Sequence, residues 1–343
     1  MELPFRPLVS IIVPAYNPPI DLFKKCVASI HNQGDLNCEI LIVDDGSEPE
    51  TAATFDTIAL HDKNIRVIHQ ANAGEGAARN TGLNNATGQY ILFVDADDGL
   101  ARGWVCRAID VAESTQASVV MGRVVQVQRV PDNEDVVPFE ERLFSSDQLW
   151  ELQRDFLYTS TKLVGSLPYL DPGVCSKLIR RDCIGDLRFP VGLKLSSDQV
   201  FNHELLRRAE SYVVTDAVAY YYVSNGESVS HVYNPDAASV MMRSMSYVKE
   251  ALVDDKRVRQ AFYFRVLMEI GTAIQFSAFS DHYSTSYSEK KRLIARAAAE
   301  PLFKEAMSKV KLSSLPDFSW RIKALLLKNS FYGLYVWLKR ITD

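Results

Sequence analysis

The chain has 343 residues, 47% of them hydrophobic and 24% charged, ordinary for a folded globular protein, and no repeat or low-complexity tract suggests a fibrous or disordered one. Its net charge of −5 divides into +7 for Glu289 to Asp343 and −12 for the rest; the acidic majority and the lack of a recognisable binding module exclude nucleic acid as a partner. Five scattered cysteines without a CxxC pair fit a reducing cytoplasm rather than a disulfide scaffold or a zinc module.

The first apolar run, "LVSIIVPA", is short, broken by proline and not preceded by a basic segment, so it reads as a buried strand and neither as a signal peptide nor as a membrane span. "IDLFKKCVASIHNQ" follows as an amphipathic helix, "CEILIVDDGS" as a strand ending in a turn, "IRVIHQ" as a third strand, "GEGAARNTGLNNA" as a helix and "QYILFVDADD" as a strand with acids at its end. This βαβ succession predicts an α/β fold with a doubly wound, mostly parallel sheet. Ligands of such sheets bind beyond the carboxyl ends of the strands, where "PAYN", "DDGS" and "DADD" fall. "SVVMGRVVQVQRV" reads as a strand, "VPDNEDVVPFEE" as an exposed connection, and "VCSKLIRRDCI", "SSDQVFNHELLRRA" and "SYVVTDAVAYYYV" as strand, helix and strand. After Pro235 the patterns are helical, giving a domain over 1–234, with halves of about 1–122 and 123–234, and a helical appendage over 235–343.

Asp95, Asp97 and Asp98 crowd three carboxylates into four positions, with no Lys or Arg in "YILFVDADD". Such acids raise one another's pKa unless a cation or a set of donors lies among them, and a divalent metal is the first candidate. Asp44 and Asp45 of "DDGS" suit a ligand-binding edge, although Asp and Gly also favour simple turns. "SSDQ" reads as a capping box, Ser196 capping and Gln199 reaching back, with Asp198 in the first turn, where the helix dipole favours the ionised carboxylate. From Trp320 to Asp343 five cations face one acid among aromatic and aliphatic residues. That tail reads as a basic amphipathic helix, lying on an anionic membrane surface or docked on the domain.

Taken in order, "VSIIVPAYN", "EILIVDDGS", "NAGEGAARNTGL", "YILFVDADD", "VCSKLIRRD", "FPVGLKLSSDQVFNHELL" and "AYYYVSNGESVSH" resemble family 2 glycosyltransferases of the GT-A fold, over about Leu8 to His231. The resemblance implies transfer of a sugar from a UDP-sugar donor, with inversion, to a glycan or lipid-linked glycan acceptor, in surface polysaccharide or lipid-linked glycan assembly. It implies Mn²⁺ or Mg²⁺ as cofactor, with Asp97 as metal ligand, Asp95 as metal or ribose neighbour beside Ala96, and His231 as a further contact, although a lone histidine is more often structural. Pro14, Ala15 and Tyr16 would wall the base, and Asp44 or Asp45 would accept the uracil N3–H or a ribose hydroxyl. Asn72, Gly74 and Arg79 would approach the base or phosphates; the other reading of Arg79 is a surface ion pair with Asp95 or Asp98. Asp198 would be the general base. Three positions depart from the family pattern: Cys175 or a neighbour stands where members often carry Trp, Ser197 replaces the acid before Asp198, and no Arg follows Tyr222. The last two argue for a rival reading, an idle nucleotide-sugar-binding or scaffold protein, against which the retained Asp97 and Asp198 stand. A dinucleotide oxidoreductase is excluded because "PAYN", not GxGxxG, follows the first strand. The expected location is cytoplasmic, peripheral at the inner face of the cell membrane.

Overall fold

Seven consecutive buried residues, Val9–Ala15, form the central strand β1, as a run flanked by strands on both edges and covered on both faces should. The computed structural model describes residues 7–131, 140–158, 170–193, 196–224, 234–279, 286–315 and 318–342. In chain order β1 is followed by α1 (Ile20–His31), β2 (Cys38–Asp44), α2 (Pro49–Leu60), β3 (Ile65–His69), α3 (Glu75–Asn85), β4 (Tyr90–Phe93), β5 (Gly99–Leu100), α4 (Trp104–Thr115) and β6 (Val119–Val127). Then come β7 (Glu141–Ser145), α5 (Leu149–Tyr158), β8 (Lys177–Arg180), α6 (Arg181–Ile184), α7 (Ser197–Arg208) and β9 (Ser211–Val223). The described residues after β9 form helices: α8 (Ala237–Glu250), α9 (Lys256–Ser277), α10 (Tyr287–Ala299), α11 (Pro301–Lys309), α12 (Phe318–Lys328) and α13 (Tyr332–Thr342).

Eight strands order as β3-β2-β1-β4-β8-β6-β9-β5, and β7 pairs with β9. The first four are mutually parallel, and β6 runs parallel to β9. The antiparallel ladders, where β8, β5 and β7 join, are shorter in sum, so most of the paired length is parallel and the protein has the α/β fold expected. The helix α1 buries Phe23, Cys26, Val27 and Ile30, the spacing of one helical face.

By contact the chain divides into two compact units, one of Met1–Leu149, Asp171–Gly192 and Ser197–Asn225, the other of Trp150–Leu170, Leu193–Ser196 and Gly226–Asp343. The described residues 150–158 thus cluster with the C-terminal helices. The second unit is organised around α9, which buries residues on every side, from Val258 through Phe264 to Ser277. Its amino end is capped by Asp255, which accepts the N–H groups of Arg257 and Val258. No helix among the described residues is long and apolar enough to cross a membrane.

The tail is not the single helix expected. Ser330 adopts φ +62°, a left-handed conformation that breaks a helix, so α12 and α13 form a hairpin. Both pack against α9, with Trp320, Ala324, Leu327, Tyr332, Tyr335 and Val336 buried. Lys339 donates to Thr272 Oγ1 at 2.9 Å and Arg340 to the Phe279 carbonyl at 2.9 Å.

Candidate active site

Register aligns the strand ends. Ala15 lies opposite Asp44, and Asp44 opposite His69, while Val94, just past β4, donates its N–H to Ile12 of β1. The turns after β1, β2 and β4 therefore open on one edge. Pro14 and Ala15 are buried there and Tyr16 is exposed.

Both acids of "DDGS" are buried and bonded within the chain. Asp44 Oδ1 accepts the Ser47 N–H at 2.8 Å, and Oδ2 meets His69 Nδ1 at 2.7 Å. Burial pushes this carboxyl up, but the Ser47 and His69 bonds outweigh burial and hold it below the usual carboxylate range. Asp45 Oδ1 accepts from Gln70 Nε2 at 2.7 Å and from the Ala73 N–H at 2.9 Å, and Oδ2 accepts the Gly74 N–H at 2.8 Å. Asp45 thus fastens the segment that carries Asn72 and Gly74. A carboxylate has about four acceptor positions, so these bonds leave room for a ligand. Gly46, at φ +78°, brings the two loops together backbone to backbone: a Cβ there would stand 2.9 Å from the Asn72 nitrogen. The Asn72 side chain faces solvent.

The three acids of "DADD" are handled in different ways. Arg79, only 3% exposed, donates through Nη2 to Asp95 Oδ1 at 2.8 Å and also to Glu75 one helical turn back. It is a buried arginine, not the surface one of the alternative reading, and its face lies 5.3 Å from the Phe189 ring centroid. Burial lowers its pKa, but Asp95 and Glu75 raise it further, so it stays charged. Its Nε is buried without a hydrogen-bond partner. Glu75 is driven up to about 7, first by desolvation and then, against the pull of Arg79, by the charges of Asp95, Asp198 and Asp97.

Asp98 is buried at the junction of β4 and β9. It accepts the Tyr220 hydroxyl at 2.8 Å and the Val223 N–H at 2.7 Å, while the Asp95 N–H donates to the same Tyr220 oxygen at 3.1 Å. Desolvation first, then Asp95, push this carboxyl up to about 8, despite the Val223 and Tyr220 bonds. An unfolded Asp releases its proton near pH ~4, so between ~4 and about 8 the folded chain binds the extra proton and stability falls as pH rises. Asp98→Asn, which keeps the acceptor for Val223, is therefore expected to flatten that decline. Urea midpoints measured across the window in chelator test this, and equal slopes for parent and variant would refute it.

Asp198 stands half-buried in the first turn of α7, its Oδ1 accepting the Gln199 N–H at 3.0 Å. Ser196 does not sit as the expected cap: its φ of +63° departs from the extended backbone a capping serine adopts. The dipole argument for a low pKa also fails, because desolvation pushes Asp198 up, opposed by Arg79 and the Gln199 bond and reinforced by Asp171 and Asp95. Asp198 thus lies within reach of the charges of Arg79 and Asp95.

Two arrangements not foreseen from the sequence fix α7 and the segment before it, one against α3 and one against the turn that precedes β8. Asn80 exchanges two bonds with Phe189, Nδ2 to the carbonyl at 2.9 Å and Oδ1 from the N–H at 2.8 Å. Phe189 stacks on Phe201 of α7 at 4.1 Å between centroids, and Phe93 of β4 meets both edge-on. Lys177, fully buried, donates to the carbonyls of Asp171, at 2.9 Å, and Gly173. Asn202 of α7 donates to the same turn, at Pro172 and, at 2.8 Å, Gly173. Desolvation lowers the Lys177 pKa against the pull of Asp171.

Among the described residues no three His, Cys, Asp or Glu side chains converge as a metal cage. A magnesium-type ion needs no such cage, being held by one or two carboxylates together with phosphate oxygens and water. Asp97, half-buried, and Asp95, whose side chain is 32% exposed beside Arg79, supply hard oxygen donors of that kind. Ala96 is buried between them. These residues fit a metal shared with a diphosphate. His231 lies outside the described residues.

Residues 10–182, just over half of the chain, match the model of Glycosyl transferase family 2, and the chain belongs to that family. It is 32% identical to the uncharacterized glycosyltransferase EpsJ of Bacillus subtilis over 67% of its own length and 65% of that protein's. To the poly(ribitol-phosphate) beta-glucosyltransferase of Bacillus spizizenii it is 28% identical, over 66% of this chain and 34% of the relative. It therefore spans less than two thirds of either relative. In fold it is similar to S. aureus TarS 1-349 in complex with UDP-GlcNAc, with a TM-score of 0.65 over 97% of this chain and 90% of that one at 20% identity. The fold is of the GT-A type.

Proposed function

We propose that this glycosyltransferase moves a hexose from a UDP-sugar to an acceptor hydroxyl with inversion, in surface polysaccharide or lipid-linked glycan assembly. The observation carrying this reading is that a pair of acids at the carboxyl end of a parallel strand, Asp95 and Asp97, and a single acid on α7, Asp198, all act on Glu75 of α3, beside Arg79. The pair suits a nucleotide diphosphate and its ion, the single acid an acceptor. A TarS complex containing UDP-GlcNAc and a poly(ribitol-phosphate) relative support donor class and setting by analogy.

In this reading residues 1–122 hold the donor and 123–234 face the acceptor. Pro14, Ala15 and Tyr16 line the base, with Asp44 or Asp45 accepting its imide N–H. Asn72, Gly74 and Arg79 approach the nucleotide, and Arg79 Nε, a buried donor without a partner, is available to an incoming oxygen. Asp95 and Asp97 would hold Mn²⁺ or Mg²⁺, which when bound neutralises charge on the departing diphosphate. Asp198 accepts the proton of the acceptor hydroxyl, that oxygen bonds to the anomeric carbon, and the carbon–oxygen bond to UDP breaks. Its raised pKa makes it a stronger base than an ordinary carboxylate. The enzyme would work at the cytoplasmic face of the membrane, on a glycan or lipid-linked glycan.

UDP release across a panel of UDP-sugars, with Mn²⁺ or Mg²⁺ and then with chelator, tests the assignment. Release with one donor and an inverted product anomer is expected. Absence of release with every donor, despite UDP binding, would favour the idle binding protein.

A further inference from the structure

The hairpin of α12 and α13 buries one apolar face and leaves a second one uncovered. Phe318 is 74% exposed and Leu325 48% on α12; Phe331 is 59% exposed at the turn; Leu334, Trp337 and Ile341 are 51%, 58% and 61% exposed on α13. At about 100° per residue, Leu334, Trp337 and Ile341 lie within about 60° of one another, and Phe318 and Leu325 within about 20°. The stripes stand apart because Trp320, Leu327, Tyr332, Tyr335 and Val336 turn inward. Both helices set their buried sides on α9, so both stripes face away from it. Cations flank them: Arg321 and Lys328 on α12, Arg340 on α13. Residues 318–342 contain five Lys or Arg and no Asp or Glu.

We infer that this hairpin is a membrane-docking surface for anionic lipid, its stripes of Phe, Leu, Trp and Ile entering the interface while Arg321, Lys328 and Arg340 meet lipid phosphates. The bonds these cations make within the chain leave their charge in place: Arg321 and Lys328 donate to the carbonyls of Leu315 and Val310, and Arg340 to that of Phe279. Charge selects the occupant. A second copy of this chain would bring the same three cations onto the same face, whereas anionic lipid supplies the missing acids. Length fixes the mode: each helix has 11 residues, roughly 16 Å, about half the hydrocarbon core, so the hairpin lies on the bilayer and does not span it. Large exposed aromatics with flanking cations are the composition of interfacial helices. This inference deepens the peripheral location proposed above without depending on the donor.

The test sediments the full chain with vesicles of phosphatidylcholine, with and without phosphatidylglycerol, at low and high salt. Cosedimentation that requires phosphatidylglycerol and weakens with salt is expected, and Leu334→Glu with Trp337→Glu should lower it at least ~10-fold. Both positions are exposed, and near-UV circular dichroism checks the variant's fold. As a second readout in the unmodified hairpin, vesicles should blue-shift tryptophan emission, and Trp337→Phe should remove that shift. Binding indifferent to phosphatidylglycerol or to the double substitution, or no binding, overturns the inference. So does a concentration-dependent dimer that the double substitution dissolves. UDP release assayed without vesicles is expected to be equal in parent and variant, so a failed lipid result and a failed donor assignment are told apart.

Discussion

Asp198→Asn is expected to lower glycosyl transfer by about 10²- to 10⁴-fold, the usual cost of losing a positioned general base, while UDP binding stays within about twofold of the parent. Asn keeps the oxygen that accepts the Gln199 N–H but cannot take a proton. Since desolvation raises the Asp198 pKa, the parent rate should climb with pH as this carboxyl ionises, and the variant should lose that limb. Stability should not fall, because a neutral amide avoids the desolvation that the carboxylate bears. The measurement follows glycosylated product with the true acceptor, since donor hydrolysis by water responds differently. Near-parent transfer by the variant would place the base elsewhere.

Asp97→Ala is the second large effect. Loss of a residue proposed to hold the diphosphate's ion should cost on the order of 10³-fold in transfer, a few kcal/mol of charge stabilisation. UDP titrations by calorimetry give a readout independent of turnover: parent affinity should rise with Mn²⁺ or Mg²⁺, and the variant's should not. The fold should hold, because Asp95 and Asp98 keep their partners on Arg79, Tyr220 and Val223. Unchanged activity, or full parent activity in chelator, would remove the metal from the proposal.

The half of the fold built from β1 to β4 was readable because parallel buried strands are continuous apolar runs, and their carboxyl ends are marked by "PAYN", "DDGS" and "DADD". Local rules succeeded where local forces decide. They missed α2, in which only Phe55 is buried and the amphipathic signal is correspondingly weak. They also misjudged Ser196, whose motif suited a cap but whose backbone is left-handed, and the tail, where Ser330 interrupts what looked like one helix. The support of the site was beyond any local pattern. Asn80 meets Phe189 109 positions on, and Lys177 serves a turn at 171–173 through carbonyl groups that carry no side-chain signature. Arg79 was singled out from its motif, but that it would be buried, and shared between Asp95 and Glu75, depended on packing against Phe189.

The bonds from Tyr220 and Val223 to the turn after β4 span 122 to 125 residues, and this bears on when during folding the site comes into being. Contacts of such separation form late, after their loop-closure entropy has been met by other structure. During synthesis every acid of "DADD" has emerged long before β9 exists, yet Asp95 and Asp98 lack the hydroxyl and amide that seat them until residue 223 is in place. The nucleotide affinity proposed for this edge therefore requires the chain through residue 223. In refolding from urea, recovery of UDP binding should lag the far-ultraviolet signal of the early strands and helices, and a chain ending before Ser211 should regain that signal without regaining the affinity.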